Sequence, residues 1–550
     1  MLGLLALGPG LAPGYLLSYD MVFVPRPPVS AALAGLAVGP PQAAPSDLVI
    51  SVLSWAVAAD LVQKTILIMV FVLSCAGAAA LLGRGWAAAR GEPAPVLATM
   101  AAGVCYAWNP FLAERLLIGQ WALLLGYAGL PWVVRALLGW SRRPAAPTRA
   151  DGARNLAAPS AGLWIALLPA AIGGFAAMAI TALTAVPVAA CGGGRGDRLR
   201  RLAVTAVALA VFSLPWLIPA LLNTVHADPR GADAFAARAD TPFGRLGSLL
   251  MLSGIWNAQT VPRGYGGAAA AVWLLVVLAA IAGYLLAARP RRVSPGLGVA
   301  GLAGLVIAAI GVTATGRAVL ADLIRAWPGF AVLRDGQQYV APLALTEAVG
   351  LGSGVAWLLR AAPAAVPDPA GPTGAVRSAV AIAVMAALAP VLLLPGLAWG
   401  IGGRLRPAAY PADWAAARRV IDAGPRSGTV LVLPWAAYRR YRWNHGEAVY
   451  DPWPQLLSRQ VIVNDALGVG SMTVAAQSAD ALRLNRIVTA PGPLTRALLA
   501  AGVRYVLADA GPLLTTPRRD LAAAARLPGA SVLMAGPDLV LFRLTGRISH

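Results

Sequence analysis

Leu117-Ile-Gly-Gln-Trp-Ala-Leu-Leu-Leu-Gly-Tyr-Ala-Gly-Leu-Pro-Trp-Val-Val-Arg-Ala-Leu-Leu-Gly-Trp140 carries one charge, Arg135, and is long enough to cross a bilayer as a helix. Its flanks differ in kind. Trp108, Asn109, Glu114 and Arg115 precede it, and Ser141-Arg-Arg-Pro144 follows it. The contrast recurs along the first four hundred residues. One set of polar gaps is short and arginine-rich, as in Gly194-Arg-Gly-Asp-Arg-Leu-Arg-Arg201; the other carries Asp20, Glu114, His226, Asp228, Arg334 and Asp335. The chain therefore reads as a polytopic membrane protein with a cytoplasmic arginine side and a chemical side outside.

Composition agrees. Of 550 residues, 58% are hydrophobic and 12% charged, and mean hydropathy is +0.69. Soluble domains carry about twice that charge. The net charge of +21 does not point to nucleic acid, because the basic residues sit in short loops beside apolar segments. Lys64 is the only lysine, a coding bias of a GC-rich genome. Cys75, Cys105 and Cys191 all lie in or beside apolar segments, so no disulfide framework follows, and no Cys/His cluster suggests zinc. Gly192-Gly-Gly-Arg-Gly196 lacks the strand and Lys-Ser/Thr of a phosphate loop and reads as a linker.

About eleven spans are expected, near 2–18, 63–83, 94–108, 117–140, 161–176, 178–192, 202–221, 267–288, 297–315, 339–359 and 378–400. Arginine flanks both sides of 161–192, which requires two short helices or a re-entrant hairpin there. Eleven crossings put the N-terminus in the cytoplasm and the C-terminus outside. Pro9 and Pro13 interrupt the first apolar segment: either its helix is broken or the start lies inside a longer natural one. The expected membrane domain is 1–403, with outer loops 19–62, 222–266 and 316–338. Within the first loop, Ser46-Asp-Leu-Val-Ile-Ser-Val-Leu-Ser-Trp55 is amphipathic and suits the interface. From 404 to 550 the pattern becomes α/β and extracytoplasmic. Strands are expected at 428–434, 460–463, 504–507, 531–534 and 539–542, and helices at 411–421, 478–487, 494–502 and 517–526.

Asp20 stands in Leu17-Ser-Tyr-Asp-Met-Val-Phe-Val-Pro25, where the first span emerges. An acid at that depth can accept a proton from a sugar hydroxyl or help hold a cation; otherwise it is a helix-end acid facing water. Glu114 and Arg115 can pair with each other, or Arg115 can grip a lipid phosphate. His226 and Asp228 have a spacing that suits a site, or are merely solvated. Arg334 and Asp335 lie at the mouth of the tenth span, and Glu347 lies two turns deeper, paired or lining a polar cavity. In the tail, Trp435, Tyr438, Tyr441, Trp443, Tyr450 and Trp453 crowd together with Arg439, Arg440, Arg442 and Asn444. Such rings stack on sugars, or serve the domain's own core or its docking to the membrane.

This layout resembles the GT-C glycosyltransferases, polytopic enzymes that take sugars from polyprenyl-phosphate carriers. Asp20 matches their catalytic acid in the first outer loop. Asn109-Pro-Phe, Glu114-Arg115, Gly119-Gln-Trp121, Leu333-Arg-Asp-Gly-Gln337 and Tyr410-Pro-Ala-Asp-Trp414 are similar to actinobacterial arabinofuranosyl- and mannosyltransferases of the cell envelope. The resemblance implies an inverting transferase in the plasma membrane with Asp20 as base. It further implies a polyprenyl-phosphate sugar donor, a glycan or glycolipid acceptor, and membrane lipids as partners. Glu114, Arg115, His226, Asp228, Arg334 and Asp335 would bind substrate or lipid phosphate, and Trp435, Tyr438, Tyr441, Trp443 and Trp453 would bind glycan. Many members have two adjacent acids; here Met21 and Val22 follow Asp20, leaving a divalent cation, Mg or Mn, open. The rival reading is non-catalytic: a glycan or lipid transporter, or an envelope-assembly scaffold. A transporter should bury paired charges deep in several spans, whereas here they collect at one surface.

Overall fold

The computed structural model describes residues 1–30, 44–140, 152–191, 194–223, 226–288, 294–365, 374–425, 427–470, 472–509 and 525–545. The expected arginine loops at Arg142, Arg143 and Arg149 and at Arg289, Arg291 and Arg292 lie outside these residues, as does most of the expected helix 517–526.

Helices dominate the first four hundred residues and one sheet dominates the rest. Among the described residues, eight helices are long and apolar enough to cross a membrane. They become nine if Pro295–Ile310 and Ala314–Ala326, bent by 90°, form one span. The described residues differ from the eleven expected spans at two places. The first expected span shrinks to Leu2–Leu11, because Gly8 adopts φ 46° and Pro9 starts a tight 3-10 turn. The pair 161–192 is one helical run, Gly152–Ala190, interrupted where Gly174 leaves helical geometry at φ 75°, ψ −151°.

The contacts of that run reverse across the break. Before it, Ala166 and Pro169 lie against Gly129, and Gly173 meets the Ala122 carbonyl. After it, Ala177 comes back against Gly126, and Pro187 reaches Gly296. The chain thus turns back on itself at Gly174, beside Ala44 and Pro45. Only glycine tolerates that φ without strain.

The expected outer turn between the third and fourth spans is instead buried helix. Val96–Ala107 stops at Trp108, and Pro110–Leu117 continues the path. Asn109 bridges the break: its Oδ1 accepts from the Leu112 backbone N–H at 3.0 Å, and Pro110 occupies the first helical position. Every residue of Pro110–Leu117 is buried, Glu114 and Arg115 included. The outer gap expected at 316–338 is likewise structured, as Ala314–Ala326 followed by two 3-10 turns.

The C-terminal region holds a five-stranded mixed sheet. Its order is Ala530–Ala535, Leu539–Leu544, Val503–Asp509, Thr429–Leu433, Val461–Ile462, with the last three parallel. Strand alternation feeds two cores. Val430 and Val432 pack with Trp414, Ile421 and Leu507, whereas Leu431 and Leu433 pack with Leu484, Leu498 and Val506.

This region is stitched to the first polar loop of the bundle. Tyr15 and Leu16 pair antiparallel with Pro407 and Ala408. The Tyr19 N–H donates to the Ala448 carbonyl at 2.6 Å, and the Tyr450 N–H donates back to Tyr19 at 2.8 Å. Tyr410 Oη donates to the Phe23 carbonyl at 3.0 Å. A cavity lies at this junction.

Candidate active site

Asp20 is presented by a tight turn held from both sides. The Met21 N–H donates to Ser18 at 2.8 Å, and the Asp20 N–H donates to Ile118 of the bundle at 3.0 Å. Tyr19 pays for the turn with φ 45°, an uncommon conformation for a bulky residue. Gly119, at φ 83°, lies directly beneath; a Cβ there would collide with the Met21 nitrogen and the Ser18 carbonyl. Gly119 is thus the residue that lets the turn sit on the bundle.

With its backbone held, the Asp20 carboxyl faces a cavity of about 580 Å³ lined by the turn, the helices and the C-terminal region. Tyr438 Oη donates to Asp20 Oδ1 at 2.5 Å. Surrounding protein pushes the Asp20 pKa up to about 6, and the Asp335 carboxylate adds to this; the Tyr438 bond and the Arg115 charge oppose it. By accessible surface Asp20 is nonetheless exposed. A carboxylate with that pKa is a suitable base near neutrality.

Arg334, Asp335 and Gln338 line the same cavity. Arg115 lies behind them, 1% exposed, and its two terminal nitrogens reach Asp335 at 3.0 and 3.4 Å. It also donates to Gln120 at 2.7 Å. Arg115 therefore pairs neither with Glu114 nor with the open cavity; it orients Asp335. Arg334 is the cation left facing inward. Its guanidinium lies 4.7 Å from the Phe235 ring centroid, and Nη1 has no hydrogen-bond partner. Burial lowers its pKa, with the acids Asp335 and Asp228 opposing. Among the described residues Arg334 makes no ion pair, and a guanidinium that lines a cavity can take a phosphate.

Glu114 is buried at 3% exposure beside Arg115, with Oε1 unpartnered, and is not part of the cavity wall. Glu347, 1% exposed, has an equally unpartnered Oε1. His226 and Asp228 also stand apart from the cavity. The His226 backbone N–H donates to Gln477 at 3.0 Å and its ring is exposed. Both Asp228 oxygens are occupied at 2.9 Å, one by the Arg230 N–H and one by the Ala475 N–H.

The aromatic run divides the same way. Tyr438 and Tyr450 reach the cavity. Tyr441 stacks on Trp443 at 4.9 Å, and Trp453 stacks on Trp414 at 4.3 Å, inside one buried cluster with Tyr410. Trp435 packs against the other core. The domain's own core thus absorbs Tyr441, Trp443 and Trp453, because Trp414 and Tyr410, outside the run, supply their ring partners. The buried pair Arg439–Asp451, 2.8 Å apart and each 1% exposed, fixes the segment between.

Four cavity-lining acids, Asp47, Asp451, Asp465 and Asp480, had no signal of their own in the sequence. Asp47 opens the amphipathic helix Ser46–Leu53 and accepts from Gln455 Nε2 at 2.7 Å. Burial raises its pKa to about 7, and the Gln455 bond lowers it. Asp465 accepts from the Gln477 and Ser478 N–H groups at 3.1 and 3.0 Å, leaving Oδ1 unpartnered. Among the described residues no three Asp, Glu, His or Cys groups converge as a metal site requires. Asp335, the acid that acts on Asp20, is already held by Arg115. No step below uses a divalent cation.

No protein-family model matches the chain, and no curated protein matches it. Solved structures do. The cryo-EM structure of arabinofuranosyltransferase AftD from mycobacteria superposes with a TM-score of 0.61 at 17% identity, covering 99% of this chain and 39% of that one. Two classes of a mutant of that enzyme give 0.55 at 18% identity and 0.53 at 17%, each covering 99% of this chain and 41% of the other. The chain spans about two fifths of the length of these structures. It has their fold, a polytopic helical bundle carrying a sheet-containing C-terminal region.

Proposed function

We propose that the chain is an inverting membrane glycosyltransferase acting on the outer face of the plasma membrane. Its donor is a polyprenyl-phosphate sugar, with arabinofuranose the first choice, and its acceptor is an envelope glycan or glycolipid. One observation carries the reading: a clamped carboxylate, Asp20, and an arginine without an ion pair among the described residues, Arg334, line the same cavity.

The step follows from those two groups. Asp20 takes the proton of an acceptor hydroxyl. That oxygen forms a bond to the anomeric carbon from the face opposite the lipid phosphate. The bond from the anomeric carbon to the phosphate oxygen breaks, and Arg334 stabilises the departing lipid phosphate. The proton on Asp20 then passes to cavity water. Tyr438 holds the carboxylate, and Arg115 holds Asp335 away from any cation role.

The test is direct. Purified chain in vesicles is supplied with polyprenyl-phosphate arabinofuranose and an arabinan oligosaccharide, and the glycan is analysed. Transfer with inverted anomeric configuration is expected. No transfer from this donor, nor from polyprenyl-phosphate mannose, would sink the reading.

A further inference from the structure

The end of the bundle away from the cavity carries two arginines on one helix seam. The helix Trp121–Trp140 begins at the cavity wall; Arg135 lies twelve residues beyond Leu123, about 18 Å by helical rise. One of its neighbours is the helix Ala59–Arg90. Trp132 Nε1 donates to the Leu73 carbonyl at 3.0 Å, and a Cβ on Gly77 would strike Pro131 and Trp132. Seven residues further along both helices the Arg84 guanidinium lies on Gly139, where a Cβ would meet Nη2 at 2.8 Å. The two helices therefore run in parallel, and Arg135, one turn before Gly139, lies on the same seam.

The Arg135 guanidinium lies 5.7 Å from the Trp132 ring centroid, and its Nε is buried with no hydrogen-bond partner. Arg84 is exposed. Among the described residues neither makes an ion pair, whereas Arg360 at the same end is paired with Glu92 and lies over Trp86 at 4.9 Å. Two guanidinium groups without an acid are costly beside hydrocarbon unless an anion meets them. Arg84 also closes the row Val72, Ala76, Ala80, Arg84, spaced at four-residue intervals on one helix face. Val72 and Ala76 are exposed, so this is a lipid-facing row that ends in a cation.

We infer that the Arg84–Arg135 seam binds the phosphate of an anionic phospholipid, such as phosphatidylglycerol, in the leaflet opposite the cavity. The inference does not depend on the transferase reading. Guanidinium groups bond phosphate oxygens in pairs, and basic sites between spans hold anionic headgroups. The lipid-facing row fixes the source: the phosphate that meets Arg84 is carried on acyl chains lying along Val72 and Ala76, which inorganic phosphate lacks. Two cations without an acid select a net anionic headgroup over phosphatidylcholine, whose own ammonium opposes them.

The test uses the full chain, freed of lipid in detergent and titrated with phosphatidylglycerol, with bound lipid counted by native mass spectrometry. Phosphatidylcholine and inorganic phosphate are the comparison arms. Phosphatidylglycerol should bind at least roughly tenfold more tightly than phosphatidylcholine, and inorganic phosphate should not displace it. Arg84→Gln removes only an exposed charge, so folding is not at issue, and it should lower the affinity for phosphatidylglycerol roughly tenfold. Arg135→Gln should lower it by as much or more. Arg377→Gln, at an exposed position near the start of the helix Gly374–Leu393, should leave it unchanged. Equal binding of the two lipids, unchanged affinity in Arg84→Gln, or an equal fall in Arg377→Gln would overturn the site. Displacement by inorganic phosphate would overturn the lipid as its occupant. No arm reads sugar transfer, so this inference and the transferase reading fail separately.

Discussion

Two acids sit in polar segments at the cavity end of the bundle, yet they are built for different tasks. At Asp20 the backbone does the holding: Ile118, Ala448 and Tyr450 grip the turn, and the carboxyl faces the cavity with a single side-chain partner. At Asp228 the side chain does the holding, with both oxygens given to backbone N–H groups. An acid is available for chemistry only when its surroundings have not already consumed its lone pairs. A like contrast separates Arg115, whose donors are given to Asp335 and Gln120, from Arg334, which makes no ion pair among the described residues.

The strongest way to break this comparison is to neutralise both acids. Asp20→Asn should lower sugar transfer by roughly a thousandfold, the range of a general base. Asp228→Asn should keep activity within a few-fold and lose at most about 1 kcal/mol of stability. Similar losses in both, measured as initial rates on matched amounts of folded protein, would erase the distinction.

Next in size is the support beneath the turn. Gly119→Ala drives a methyl into Ser18 and Met21 at a left-handed φ, and should destabilise by roughly 2–4 kcal/mol. Thermal unfolding in detergent reads this, and an unchanged midpoint would mean that the turn does not rest on Gly119. Arg334→Ala should raise the donor KM roughly tenfold or more, as loss of a charged phosphate contact requires, with acceptor KM unchanged. A matching rise for the acceptor would place the guanidinium elsewhere in the reaction. The smallest effect is expected at Trp443→Phe: lower stability, because the ring stacks in the core, and unaltered glycan affinity.

Much of the membrane layout was legible because apolar length and arginine-rich gaps are composition signals. Asp20, Arg334 and Asp335 were legible for the same reason, as charges at the ends of apolar segments. What escaped depends on partners remote in sequence. Arg115 stands beside Glu114 in the chain but pairs with Asp335. Tyr441 and Trp443 read as a sugar platform until Trp414 and Tyr410 pack against them. Asp47 lies in a stretch that reads only as amphipathic, and Gln455 and the cavity wall distinguish it. The reversal at Gly174 is one of the two arrangements that the arginine flanks of 161–192 required, but hydropathy does not place the break at that glycine.

The most direct measurement is the pH dependence of single-turnover transfer, in the wild type and in Tyr438→Phe. Asp20 must be ionised to act, so the wild-type rate should fall as pH drops through about 6. Removing the Tyr438 bond withdraws support from the ionised form, so the variant's fall should begin at higher pH, by up to roughly one unit. A wild-type rate that stays flat from pH 5 to 7, or a limb that does not move in Tyr438→Phe, would contradict Asp20 as the base.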